Sequence, residues 1–219
     1  MDYVAGPSLA QVVGQQPLLA RRAAGYLKTI AEAIHYAHER GILHRDLKPS
    51  NVIIDDADQP RITDFGLAKR LDDSQLSTPT SQLTLTGQVL GSPSYIPPEQ
   101  ALGKAGKVSR QTDVYALGAM LYHLLTGRPP FQGETITETL QKVLNTEPVA
   151  PRSLNPAIPR DLETICLKCL EKEAPGRYAT AEALAQELGR FLEGQPIQAR
   201  PVGVAGQAWK WCRRRPALA

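Results

Sequence analysis

The sequence predicts an α+β fold that is mainly helical, with one short β-hairpin set among the helices. Three observations predict it. Apolar residues recur at near-helical spacing within Leu18–Glu39, at positions 19, 23, 27, 30, 34 and 37. The fourteen residues from Val114 to Gly127 contain no Asp, Glu, Lys or Arg, the pattern of a helix buried on nearly every side and too short to span a bilayer. Between these stretches, Val52-Ile53-Ile54 and Arg61-Ile62-Thr63 read as two strands joined by the turn Asp55-Asp56-Ala57-Asp58-Gln59-Pro60.

Taken in order, Leu18–Glu39 is a long helix that ends before Gly41. His35 and His38 lie on it. Three residues apart with no third ligand nearby, they read as packing residues rather than metal ligands. The next segment, His44 to Asn51, should be a loop, because Gly41 ends the helical pattern and Pro49 prevents a new helix from starting. The hairpin then carries Asn51 and Asp64 to the same end. Ser74–Tyr95 has no charged residue but nine Ser or Thr, as expected of a flexible polar loop. Thr135–Asn145, Pro159–Glu171 and Ala179–Glu193 read as three amphipathic helices separated by Pro-rich loops such as Pro148-Val149-Ala150-Pro151. Cys166 and Cys169 form a C-x-x-C inside a helical pattern with no second ligand pair, which favours buried thiols over zinc or redox chemistry.

With 219 residues, 42% hydrophobic, 21% charged and a net charge of +3, the chain has enough length for one core. The charge is unevenly spread. Five Lys or Arg and no acidic residue lie from Arg200 onward, so the first 199 residues carry a net of about −2. Three Cys and an acidic start with no cationic, apolar leader favour a reducing compartment and no disulfide framework.

The chemistry concentrates in His44-Arg45-Asp46-Leu47-Lys48-Pro49-Ser50-Asn51 and, after a gap, Asp64-Phe65-Gly66. Phosphoryl transfer asks a protein chiefly to position reactants and neutralise charge. Asp46 on a loop can accept the proton of an attacking hydroxyl, and Lys48 can direct an ammonium at the transferred phosphate. Asn51 and Asp64 offer oxygen ligands from two segments, which suits Mg²⁺ because that ion takes only one or two protein oxygens. Each piece alone is usually a turn or a surface ion pair. The ordered set, followed by Pro97-Pro98-Glu99, is similar to the protein kinase signature.

From Met1 to about Ala199 the chain resembles the eukaryotic-like (Hanks-type) serine/threonine protein kinases of bacteria. That resemblance implies a protein kinase-like fold using ATP and Mg²⁺, with Asp46 as catalytic base, Lys48 on the phosphate, and Asn51 and Asp64 on the metal. It implies that residues 1–6 are a hinge remnant, in which the backbone of Asp2 and Val4 meets adenine above Ile53, and that 7–199 form the large C-terminal lobe. His44, Arg45, Phe65 and Gly66 complete the loop and the metal turn. Ser92 stands where Thr is usual in the substrate-binding loop, Glu99 pairs with Arg177 of Pro175-Gly176-Arg177-Tyr178, and Asp113 holds the loop backbone. Thr84 and Thr86 match autophosphorylation positions.

The family's glycine-rich loop, strand lysine and helix glutamate belong to a small lobe ahead of the hinge, so the expectation is a large lobe only, with that lobe missing or supplied by a dimer partner. Two functions stay open: a Ser/Thr kinase whose isolated chain is inactive, and a docking or scaffold module resembling a pseudokinase. A protein substrate is expected and nucleic acid is not. The tail, 200–219, combines Trp209 and Trp211 with Arg213-Arg214-Arg215, a pattern of the membrane-water interface. Charge alone fits a solvated end or a nucleic-acid patch as well. Resemblance to receptor kinases favours weak contact with a membrane surface, in a cytoplasmic fragment whose parent is anchored C-terminal to residue 219.

Overall fold

The computed structural model describes residues 5–14, 16–65, 69–70, 93–103 and 108–199. Helix α1 (Leu9–Val13) is five residues long, and the sequence pattern did not predict it because so short a segment shows no period. It forms through a capping box: Ser8 Oγ accepts from the Gln11 N–H, and Gln11 Oε1 accepts from the Ser8 N–H at 2.7 Å. Helix α2 (Ala20–Glu39) follows the predicted bounds closely and ends as Gly41 takes a left-handed φ of 73°. Its buried stripe of Ala23, Leu27, Ile30 and Ile34 faces helices α4 (Arg110–Thr126) and α8 (Ala181–Leu192). The Arg21 guanidinium donates to Leu192 O at one end of the α2–α8 pair, and His35 meets Glu182 at 3.1 Å near the other, so the two helices run antiparallel.

Strands β1 (Ile42–Leu43) and β4 (Lys69–Arg70) pair antiparallel, as do β2 (Val52–Ile54) and β3 (Pro60–Ile62). The predicted hairpin forms, but β3 begins one residue early. Pro60 opposite Ile54 is tolerated there because it opens the strand. The entering chain lies against this hairpin: Ile54 N–H donates to Pro7 O, and Ser8 bridges Ile53. Gly6 is required at this approach, since a Cβ on it would stand 2.0 Å from Ile54 O. A further difference from expectation lies at Pro49–Asn51. That stretch is a 3₁₀ turn, with Pro49 at its first position, where a missing N–H costs nothing.

The other predicted helices appear as α5 (Ile136–Asn145), α7 (Arg160–Cys169) and α8, with two short ones, α3 (Pro98–Ala101) and α6 (Pro151–Leu154), that begin at prolines. Thr135 and Thr180 cap α5 and α8. Helix α4 is the centre of the core. Every residue from Thr112 to Tyr122 is buried, and α2, α7 and α8 all pack on it. Each fully buried Leu of this helix contributes roughly 1.5–3 kcal/mol. Cys166 and Cys169 are fully buried in α7, and burial pushes both thiols above their ordinary pKa. Among the described residues no helix is long and apolar enough to cross a membrane.

Helices α4 and α7 approach closely at Gly118, where an added Cβ would lie 2.3 Å from Cys169 Cβ. Gly118→Ala should therefore destabilise by roughly 1–3 kcal/mol in urea unfolding despite alanine's better helix propensity. Cys169→Ala keeps the offending Cβ and should give no rescue. Unchanged stability in Gly118→Ala would show that the two helices can separate freely.

Candidate functional site

The His44–Asn51 loop is held from below by one side chain. Asp113, fully buried near the start of α4, accepts the His44 N–H on Oδ2 and the Arg45 N–H on Oδ1, each at 2.9 Å. His38 Nε2 lies 2.7 Å from the same Oδ2. An ionised carboxylate only accepts, so Nε2 is the donor. Presenting two successive N–H groups to one carboxylate bends the chain, and Arg45 takes φ 69°, a left-handed value rare for a non-glycine residue. Gln100, from α3, donates to Arg45 O at 3.3 Å and closes the bend from the other side.

Asp46 follows this bend. Its Oδ2 accepts from Lys48 Nζ at 2.8 Å and from Asn51 Nδ2 at 3.2 Å, and Asn51 Nδ2 also donates to Asp46 O at 2.9 Å. No described residue donates to Oδ1. With Nδ2 committed to Asp46, the Asn51 Oδ1 is met, among the described residues, only by a 3.5 Å contact from Ser50 Oγ. His44 Nε2 donates to Thr63 O, leaving Nδ1 to accept the Asp46 N–H at 3.4 Å. The His44 ring also tilts against Phe65, with centroids 4.7 Å apart. Thr63 N–H in turn donates to Asn51 O. The hairpin thus seats Asn51 beside the residue that precedes Asp64, as the spacing predicted. Asp64 has φ 58° and an exposed side chain, Phe65 is 41% exposed, and Ile53 is partly buried on β2.

Glu99 and Arg177 are brought together across 78 residues. The guanidinium meets both carboxylate oxygens at 2.7 and 2.8 Å, and Thr112 Oγ1 donates to Glu99 Oε1. Arg177 spends its other donors on Glu171 O, Gln111 O and Lys172 O. Pro97, with φ −72° and ψ 156°, is extended as a residue before proline must be. Asp2, Val4, Gly66, Thr84, Thr86, Ser92 and the tail 200–219 lie outside the described residues.

The geometry adds two contacts that sequence reasoning did not assign to the site. His38 was read as packing, and its contact with Asp113 spans 75 residues with no local signal. Tyr95 Oη lies 2.6 Å from His123 Nδ1, tying the segment ahead of the Pro-Glu pair to α4. Burial raises the Tyr95 pKa and lowers that of His123, so a phenol donates to a ring nitrogen.

The sequence pattern of the protein kinase domain matches residues 1–188. The chain belongs to the protein kinase family. It is similar to serine/threonine-protein kinase PknB of Mycobacterium tuberculosis, 34% identical over 203 residues that make up 92% of this chain and 31% of that protein. It is also similar to serine/threonine-protein kinase PrkC of Bacillus subtilis, 38% identical over 189 residues, or 86% of this chain and 28% of that protein. The kinase chain spans about a third of the length of these curated relatives. Its helix-rich architecture with small two-stranded sheets fits the family fold.

The Glu99–Arg177 pair generates a pH prediction. Burial alone would raise the Glu99 pKa, but the Arg177 guanidinium, a backbone hydrogen bond and the Thr112 hydroxyl together hold the carboxyl below its ordinary value. A depressed folded-state pKa contributes stability that is complete above the unfolded value and is lost as pH falls toward the folded one. Removing one partner of a buried pair typically costs about 3–5 kcal/mol. The stability gap between the parent and Glu99→Gln should be of that order at neutral pH and shrink once pH drops below roughly 4. A gap independent of pH would show that Glu99 is not held as the anion.

Proposed function

We propose that this kinase domain transfers the γ-phosphoryl group of ATP to Ser or Thr hydroxyls of proteins. The observation that carries the reading is the state of Asp46. One carboxylate oxygen is fixed by Lys48 and Asn51, while no described residue donates to the other. An oriented, partly exposed carboxylate in that condition is ready to accept a hydroxyl proton as the nucleophile advances. Lys48, two residues after the base as in Ser/Thr members, can release Asp46 and place its ammonium on the transferred phosphate. The relatives are named as Ser/Thr kinases, which supports the same acceptor class.

The oxygens left by the fold fit Mg²⁺. Asn51 Oδ1 and the exposed Asp64 carboxylate are hard, nearly unengaged donors on adjacent segments. A metal held by them would neutralise charge on the phosphate oxygens. Ile53, partly buried on β2, offers an apolar face on which adenine would rest. Residues 1–219 contain no glycine-rich phosphate loop, so by themselves they should bind nucleotide weakly.

Activation is read from Arg45. Its buried Nε has no partner among the described residues, and burial lowers its pKa against the opposing pull of Asp113. A buried guanidinium nitrogen without an acceptor is costly, and a phosphate on Thr84 or Thr86 would supply the missing acceptor.

The test uses residues 1–219 fused behind a kinase N-terminal lobe. Asp46→Asn should lower kcat by several orders of magnitude and leave nucleotide affinity nearly unchanged. Mass spectrometry of the same incubations should find phosphate on Thr84 or Thr86 in the parent and not in the variant. Preserved turnover in Asp46→Asn would refute the assigned base. A parent that is fully active with both threonines unmodified would refute the activation reading.

A further inference from the structure

Beside α8 and the segment that follows it lies a cleft of about 240 Å³, which the proposed reaction does not use. Lys168, Arg177, Gln186, Glu187, Arg190 and Gln198 line it, three cations against one carboxylate. Arg177 is saturated by Glu99 and three carbonyls. Glu187 is buried, and its oxygens are engaged: Oε1 accepts the Gln198 N–H at 2.8 Å and Oε2 the Ala199 N–H at 2.7 Å. The carboxylate therefore serves to pin residues 198–199 against α8.

The remaining cations are less committed. Lys168 Nζ sits 4.4 Å from the centre of the Tyr178 ring, a contact that leaves ammonium donors free to turn. Arg190 reaches Glu187 only at 3.8 Å and its side chain is 37% exposed. Gln186, whose Nε2 also makes a long 3.4 Å contact to Glu182 Oε1, and Gln198 add amide groups to the same walls. We propose that this cleft is a binding site for a phosphate-class oxyanion, held by Lys168 and Arg190 and completed by the two glutamines. Two cations and several N–H donors around a small volume match a compact dianion with several acceptor oxygens. The chain's own tail is excluded as the occupant, because residues 200–219 are basic and carry no acidic side chain. The ligand's neighbour in the wall, Arg177, is the partner of Glu99, so occupancy would bear on the anchor of the Pro-Glu segment.

Free phosphate and a phosphorylated side chain share this chemistry, and a titration separates them. Amide NMR of residues 1–219 at constant ionic strength would follow inorganic phosphate, a phosphoserine peptide and its unphosphorylated twin. The expected result is saturable shifts at Gln186–Arg190 and Gln198. Saturation by phosphate itself identifies the free ion, and saturation by the phosphopeptide alone identifies a phosphorylated side chain. Lys168→Gln/Arg190→Gln should weaken binding at least about 10-fold, since both charge-assisted donors are lost. Gln198→Glu keeps the backbone N–H on Glu187, so its fold is preserved, and it should abolish binding by placing a carboxylate in the wall. Shifts that do not saturate, that chloride reproduces, or that persist in both variants would overturn the proposal.

Discussion

The site depends on one buried carboxylate. Asp113 gathers the N–H groups of His44 and Arg45 and the ring of His38, three donors from two segments, onto a helix that is itself the centre of the core. Charge-assisted hydrogen bonds of this kind contribute roughly 1.5–3 kcal/mol each. That sum is enough to hold Arg45 in a left-handed conformation costing about 1–3 kcal/mol. The bend then aims Asp46 outward, and Asn51 and Lys48 fix its rotamer. Geometry that would be mobile in an isolated loop is thereby inherited from a helix buried on nearly every side.

A second clamp acts alongside the first. Glu99 and Arg177 join α3 to the loop ahead of α8, and Thr112, one residue before Asp113, donates to Glu99. The two clamps thus meet at the first turn of α4. Desolvation offsets much of the Coulomb gain in such a pair, so its main effect is to fix the position of the Pro-Glu segment against the loop. Tyr95 and His123 add a third tie from that segment to α4.

Much of this was legible in the sequence. The long helices announced themselves by period or by absence of charge, and the hairpin by its turn. The placement of Asn51 near Asp64 followed from that hairpin, while the roles of Asp113, Glu99 and Arg177 came from resemblance. Contacts between distant segments, such as His38 with Asp113 or Tyr95 with His123, leave no local trace, because any buried histidine gives the same pattern. Several of the shortest elements, α1, α6 and the β1–β4 pair, were equally invisible. They are made by caps, prolines and tertiary contact rather than by periodicity.

Hydrogen exchange at the two amides that Asp113 accepts tests the central claim most directly. In the parent, the His44 and Arg45 amides should be protected. In Asp113→Asn, which preserves side-chain shape but leaves a single acceptor oxygen, at least one of them should exchange more than about 10-fold faster, the equivalent of a lost charge-assisted hydrogen bond. Amides of the α2–α8 contact should change little. Unchanged protection at both positions would contradict the account, because the bend at Arg45 would then be held by something other than the carboxylate of α4.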